Sequence, residues 1–185
     1  MNEPGFVVWF TGLSGSGKTT IAVELEKKLL KRNLRVQRLD GDIVRKSLTR
    51  DLGFTEEDRK KNIERITFVT RLLAKHGVAT LVSFISPYIS VRDNARKEVN
   101  EENAKFVEVF VNASVEECAS RDIKGLYKKA FAGEIENFTG VSHPYEEPPT
   151  PEIVCNTEYE TEEESTKIVL DFLEKEKIIP LQIKI

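Results

Sequence analysis

A three-layer α/β fold, with a parallel sheet carrying helices on both faces, is the class this sequence predicts, and three observations predict it. Short apolar runs rich in Val, Ile and Phe alternate with amphipathic stretches of helical period, the pattern of parallel strands joined by helical crossovers. The first run, residues 6–10 (FVVWF), is nearly continuous, as expected of a central strand covered on both faces. Directly after it comes a glycine-rich turn, GLSGSGKT, leading into a helical pattern. At 185 residues the chain suits one domain, 1–185, well above the size at which a single core becomes marginal.

Residues 6–10 form the first predicted strand, and 19–31 a helix, with Ile21, Ala22, Leu25, Leu29 and Leu30 at helical spacing. Residues 34–39 read as the second strand. Its end, RLDGDIVR from Arg38 to Arg45, sits comfortably in neither a helix nor a strand, because two carboxylates straddle a glycine. Thr55-Glu-Glu-Asp58 is an N-cap with an acidic first turn, and Ile63, Ile66, Val69, Leu72 and Leu73 continue as one apolar stripe, predicting a helix over 56–75. Residues 79–85 and 106–111 are further buried strands with a helix over 89–100 between them. Residues 153–155 make the last strand, and 162–175 a closing helix. The least regular portion, 122–151, carries Gly125, Gly133, Gly140 and four late prolines. So long an irregular stretch in a compact domain is usually functional, and it is predicted to be a lid over about 121–150.

With 28 basic against 31 acidic residues the net charge is −3, which gives no general attraction to nucleic acid or an anionic membrane. Any phosphate binding must be local. Cys118 and Cys155 stand far apart with no Cys-x-x-Cys pair, so neither a metal knuckle nor a disulfide framework is indicated. The opening MNEPGFVVWF lacks a basic segment followed by a long apolar core, and no apolar run approaches the roughly 18 residues of a membrane span, so the expected compartment is the cytoplasm.

The glycine-rich turn carries the strongest chemistry. Gly12-Leu13-Ser14-Gly15-Ser16-Gly17-Lys18-Thr19 fits G-x-x-x-x-G-K-[ST] between a strand and a helix, the context of the P-loop NTPase fold. Glycines let consecutive amides turn inward around phosphate oxygens, and the new helix points its positive end at them. Lys18 reaches the outer phosphates as a point charge, while the Thr19 hydroxyl can ligate Mg²⁺. Such a match arises by chance in roughly one chain of this size in a hundred or more.

In many such proteins a carboxylate at the end of a buried strand completes the Mg²⁺ shell, yet Phe84-Ile85-Ser86-Pro87 contains no acid. Asp40 and Asp42, at the carboxyl end of the second strand, are the replacements, since ligands of open parallel sheets bind at that edge. One would orient the metal and the other act as base on an acceptor hydroxyl, with the division between them open. The plain alternative is an Asx turn that starts a helix. Arg45 follows, and Arg59, Asn62 and Arg65 recur at i, i+3, i+6 opposite Ile63 and Ile66. One polar face could present guanidinium forks and an amide to a planar anion, with Phe54 available to stack. A solvated, salt-bridged face is the competing reading.

GLSGSGKTT, LDGD-x-x-R, DLGF-x-x-x-D-R-x-x-N-I-x-R, FISPY, RDIKGLYKKAFAGEI and FTG-x-x-x-PYE-x-P, in this order, resemble the adenylylsulfate kinase (APS kinase) family over nearly the whole chain. The resemblance implies phosphorylation of the 3′-hydroxyl of adenosine 5′-phosphosulfate (APS) by MgATP. It implies ATP phosphates on Gly12 to Thr19 with Thr20 beside them, Arg121 and Asp122 near the base and ribose, and Asp40 and Asp42 serving Mg²⁺ and the hydroxyl. Arg45, Arg59 and Asn62 would hold the phosphosulfate, Phe54 and Phe138 would sandwich the acceptor adenine, and Ile85 and Ser86 would line the same pocket. Lys124-Gly125-Leu126-Tyr127 resembles the family's lid, with Lys124 and Lys128 closing on phosphates. The family's phosphoserine position falls on Ser86. No partnered base stands beside it, and in-line transfer needs only positioning and charge neutralisation, so a ligand or incidental phosphoacceptor is the preferred reading. A homodimer, and a free or ATP-sulfurylase-fused state, are also implied.

Three departures touch local ATP contacts: Ile123 where proline is common, Phe131 where a basic residue is common, and Ser142-His143 where acids are common. Both histidines read as surface residues, with His76 closing a helix before Gly77. A kinase for another nucleotide or a sugar is the alternative enzyme. A guanine-reading Asn-Lys-x-Asp, which would favour a nucleotide switch, does not occur.

Overall fold

The computed structural model describes residues 5–122 and 124–181. Its five strands, β1 (Phe6–Thr11), β2 (Val36–Asp40), β3 (Ala79–Ser83), β4 (Lys105–Asn112) and β5 (Ile153–Asn156), form one sheet in the order β2-β3-β1-β4-β5, with every neighbouring pair parallel. Helices α1 (Lys18–Leu30), α2 (Gly41–Val44), α3 (Glu56–Lys75), α4 (Ile89–Glu101), α5 (Val115–Arg121), α6 (Leu126–Phe131) and α7 (Glu162–Lys175) make the crossovers and the closing element.

Strand β1 is buried at every residue because it lies between β3 and β4 with helices on both sides. Alternation of its side chains divides the core in two. Phe6, Val8 and Phe10 join Ile21, Leu25 and Leu29 of α1 and Val169 and Leu173 of α7 on one face. Val7 and Trp9 join Ile63 and Ile66 of α3 and Ala95 and Val99 of α4 on the other. This is the predicted three-layer arrangement. A third, smaller cluster of Ala113, Cys118, Tyr127, Ala130 and Phe138 gives the segment after β4 a core of its own.

The segment around RLDGDIVR resolves into a strand end and one helical turn. Asp40 terminates β2 and caps α2, its Oδ1 accepting from the Asp42 backbone N–H at 3.0 Å. The Asx turn is therefore present as local geometry. Two short helices, α5 and α6, stand where no helix was predicted. α5 begins with Ser114 accepting from Glu117 N–H at 3.1 Å, a spacing legible in Ser-x-x-Glu. His76 caps α3 as expected. Cys118 and Cys155 are buried free thiols. No helix among the described residues is long and apolar enough to cross a membrane.

Candidate active site

The turn between β1 and α1 is shaped by glycines in conformations other residues reach with strain. Gly12 has φ 147°, and a Cβ there would come within 2.4 Å of the Val111 carbonyl oxygen; Gly17, at φ 99°, caps α1. Lys18 lies beneath the turn and is 8% exposed, with Nζ donating to the Leu13 carbonyl at 2.6 Å and the Gly12 carbonyl at 3.0 Å. Burial pushes its ammonium down to about 8, while Asp40 and Asp42 pull the other way. Thr19 Oγ1 donates to Asp40 Oδ2 at 2.7 Å, so the α1 hydroxyl and the carboxylate ending β2 form one unit. A hydroxyl and a hard carboxylate beside a phosphate-binding turn are the donor set Mg²⁺ takes when substrate phosphates and water supply its other ligands.

Two cavities meet at this unit. The first, of about 470 Å³, runs over Gly15, Gly17, Lys18, Thr19 and Thr20 to Arg121, Asp122 and Thr157. The second, of about 260 Å³, is lined by Asp40, Arg45, Phe54, Arg59, Asn62, Ile85, Ser86 and Phe138. Ser14, Gly15, Lys18, Thr19, Asp42, Lys124 and Leu126 line both. Lys124 from the lid segment ion-pairs with Asp42 in that common wall. The two aspartates are unlike: Asp40 is 5% exposed with both oxygens engaged, whereas the Asp42 side chain is 66% exposed.

The second cavity is cationic and aromatic. Arg45 donates to the Leu52 and Gly53 carbonyls, both at 3.1 Å, and stacks 4.3 Å from the Phe54 ring centre. Arg59 donates to the Phe54 carbonyl at 3.0 Å and the Asn137 carbonyl at 2.7 Å. Burial lowers the pKa of both guanidiniums. Exposed Phe54 and buried Phe138 line the same space, and Phe138 is fixed edge-on to Tyr127 at 4.9 Å. Asn62 Oδ1, Ser83 Oγ and Thr139 Oγ1 are buried without a hydrogen-bond partner, and all three residues line this cavity. Unsatisfied buried polar atoms grouped around one space mark it for a polar ligand.

Ser86 is 2% exposed and has φ 40°, uncommon for a residue other than glycine. Its hydroxyl accepts from Trp9 Nε1 at 3.0 Å and lies 3.4 Å from the Phe84 carbonyl. Neither partner, an indole N–H and a backbone carbonyl, is a base that could activate the hydroxyl.

Several predicted residues are not exposed to either cavity. Gly12, Leu13, Ser16 and Gly125 line neither cavity: Gly12 packs on Val111, Leu13 faces Gly140, and Ser16 is wholly buried. Arg65 leaves the polar face of α3 for a two-pronged exposed pair with Asp51, at 2.7 and 2.8 Å. Lys128 is exposed and lines neither cavity. Ile123 lies outside the described residues. His143 sits half-buried at 2.5 Å from Tyr88 Oη.

Thr157 and Ser83 contribute without an assignment in the sequence, and Tyr127, assigned only to the lid, contributes as well. Thr157 Oγ1 donates to the Ser16 carbonyl at 2.9 Å, and its own carbonyl accepts from Arg121 at 2.6 Å, tying β5 to the phosphate turn. Its place just after a parallel strand was the available signal. Tyr127 Oη reaches the Ser14 carbonyl at 2.9 Å, and Ser83 gave no signal beyond its strand end.

A family model for adenylylsulphate kinase matches residues 4–156. Over 180 residues the chain is 55% identical to the adenylyl-sulfate kinase of Halothermothrix orenii, covering 97% of this chain and 95% of that one. It is 58% identical over 170 residues to a probable adenylyl-sulfate kinase of Pseudomonas aeruginosa, covering 92% and 78%. The Mycobacterium tuberculosis APS kinase CysC, solved with AMPPNP and APS, superposes with TM-score 0.90 at 43% identity over 94% of this chain and 99% of its own. A hexameric APS kinase from Thiobacillus denitrificans superposes at 0.75 with 32% identity, this chain covering 31% of its length. From the phosphate turn through β5, the chain belongs to the adenylylsulphate kinase family.

Proposed function

We propose that this protein transfers the γ-phosphate of MgATP to the 3′-hydroxyl of adenosine 5′-phosphosulfate, giving 3′-phosphoadenylyl sulfate and ADP. The observation that carries this reading is Asp42, which stands in the wall common to a phosphate-binding cavity and a cationic, aromatic one. ATP occupies the first, its phosphates on the turn and Lys18 and its base end toward Arg121. The acceptor occupies the second, its phosphosulfate on Arg45, Arg59 and Asn62 and its adenine between Phe54 and Phe138.

Thr19 and Asp40, already hydrogen-bonded to each other, would hold Mg²⁺, which when bound neutralises charge on the transferring phosphate. Asp42 is the base. Its carboxylate accepts the hydroxyl proton as that oxygen bonds to the γ-phosphorus and the bond to the β-phosphate oxygen breaks, releasing ADP. The Asp40 oxygens are committed to Thr19 and the Asp42 amide, which supports dividing the roles this way. Lys124 closes with Asp42 and excludes water. Ser86 lines the acceptor cavity without being phosphorylated in the cycle.

We also read residues 1–185 as one catalytic domain working as a homodimer in the cytoplasm, where the free thiols Cys118 and Cys155 remain reduced, alone or joined to an ATP sulfurylase. ADP release with adenylylsulfate as sole acceptor tests the function. Release with other nucleotides or sugars but not with adenylylsulfate overturns it.

A further inference from the structure

Arg92, on α4, lines neither cavity, yet it is 2% exposed and each of its three guanidinium nitrogens donates a hydrogen bond. Nε donates to Glu108 at 2.8 Å, Nη1 to the Ser86 carbonyl at 2.7 Å, and Nη2 to the Glu146 carbonyl at 2.8 Å. Glu108 is in turn approached by Arg96, which pairs chiefly with Glu152. The Ser86 carbonyl belongs to the residue held at φ 40°, whose hydroxyl is bonded by Trp9. Glu146 belongs to the chain leaving the lid, and its N–H donates to the Pro87 carbonyl at 2.8 Å.

A left-handed serine persists only where its surroundings over-determine it. Here two bonds do so, one from Trp9 to the hydroxyl and one from Arg92 to the carbonyl. We propose that Arg92 is a positioning residue for the acceptor: its planar fork fixes the Ser86 turn and the end of the lid in one frame, setting the wall against which the acceptor lies. Planarity is the essential property, because one fork meets two carbonyls and a carboxylate in fixed directions, which a lysine ammonium cannot reproduce. This inference rests on the acceptor-cavity assignment proposed above.

The test is Arg92→Lys in the full chain, with KM measured separately for adenylylsulfate and ATP and with emission of Trp9, the single tryptophan, recorded without ligand. The KM for adenylylsulfate should rise on the order of tenfold to a hundredfold, as expected when a reacting group is misplaced from a distance, while KM for ATP stays within about twofold. Trp9 emission should shift as the Ser86 turn relaxes. An unchanged acceptor KM in the folded variant, or equal losses for both substrates, overturns the proposal.

Should Arg92→Lys fail to fold, Arg92→Met combined with Glu108→Leu removes the buried pair without stranding a charge, and Arg96 keeps Glu152. The same acceptor-selective loss is expected there, and a normal acceptor KM overturns the proposal. If the wild type itself does not use adenylylsulfate, the functional reading fails. The Trp9 comparison still decides whether Arg92 holds Ser86, and an unshifted emission overturns that.

Discussion

The two cavities are built on opposite principles. The phosphate end of the ATP-side cavity is made mainly by backbone, with glycines at positive φ, a helix start and a lysine beneath carbonyls in one turn, while Arg121, Asp122 and Thr157 close its far end. The proposed acceptor cavity is made by side chains from β2, α3, the loop after β3 and the lid, with Arg59 anchored to the distant Asn137 carbonyl and the Ser86 wall held from behind by Arg92. Binding built into one short segment tolerates change elsewhere in the chain. Binding assembled from four segments is exposed to every substitution that shifts one of them.

That contrast can be broken most severely in the common wall. Asp42→Ala should reduce turnover by about 10²- to 10⁴-fold, the usual worth of a positioned base, with ATP affinity nearly unchanged by calorimetry. Retained turnover would move the base to Asp40 or remove the need for one. Arg59→Ala deletes two carbonyl anchors as well as a cation, and should weaken the acceptor about tenfold or more while leaving ATP within about twofold. An ATP-only defect would erase the separation between cavities.

A smaller effect follows from Lys18. Its folded-state pKa, about 8, lies below the ordinary lysine value, so between these two the folded protein has lost a proton the unfolded chain keeps. Burial of the charge thus costs stability below about pH 8, and that cost is relieved as pH rises. ATP favours the charged form, so its affinity should fall by up to about tenfold per pH unit above 8, with proton uptake visible by calorimetry in buffers of different ionisation enthalpy. Absence of uptake would remove Lys18 from the phosphate site.

Gly125→Ala should act least. A Cβ there meets nothing within 4 Å, leaving only the strain of φ 65°, about 1 kcal/mol, seen as a fall in thermal midpoint of about 2–4 °C.

The same contrast explains what the sequence could disclose. The strands, the four long helices and the phosphate turn were legible because apolar period and glycine spacing are local properties. Asp40 and Asp42 could be placed at the sheet edge, but not divided, since the division depends on Thr19 reaching back to β2 and on Lys124 crossing from the lid. Arg59 and Asn62 reached the cavity while Arg65 at the same spacing did not, because the 48–53 loop folds onto it and offers Asp51. No spacing rule carries that information. Trp9, Arg92 and Glu146 meet around the acceptor wall from three remote positions, and residue types alone supplied no sign of it.

Seven residues walling both cavities have a thermodynamic consequence. If the first substrate to bind reorders Asp42, Lys124 or Leu126, the two binding free energies are coupled. By reciprocity, any factor by which ATP changes the affinity for the acceptor must equal the factor by which the acceptor changes the affinity for ATP. The partition between the chambers is the place where such heterotropic coupling is set.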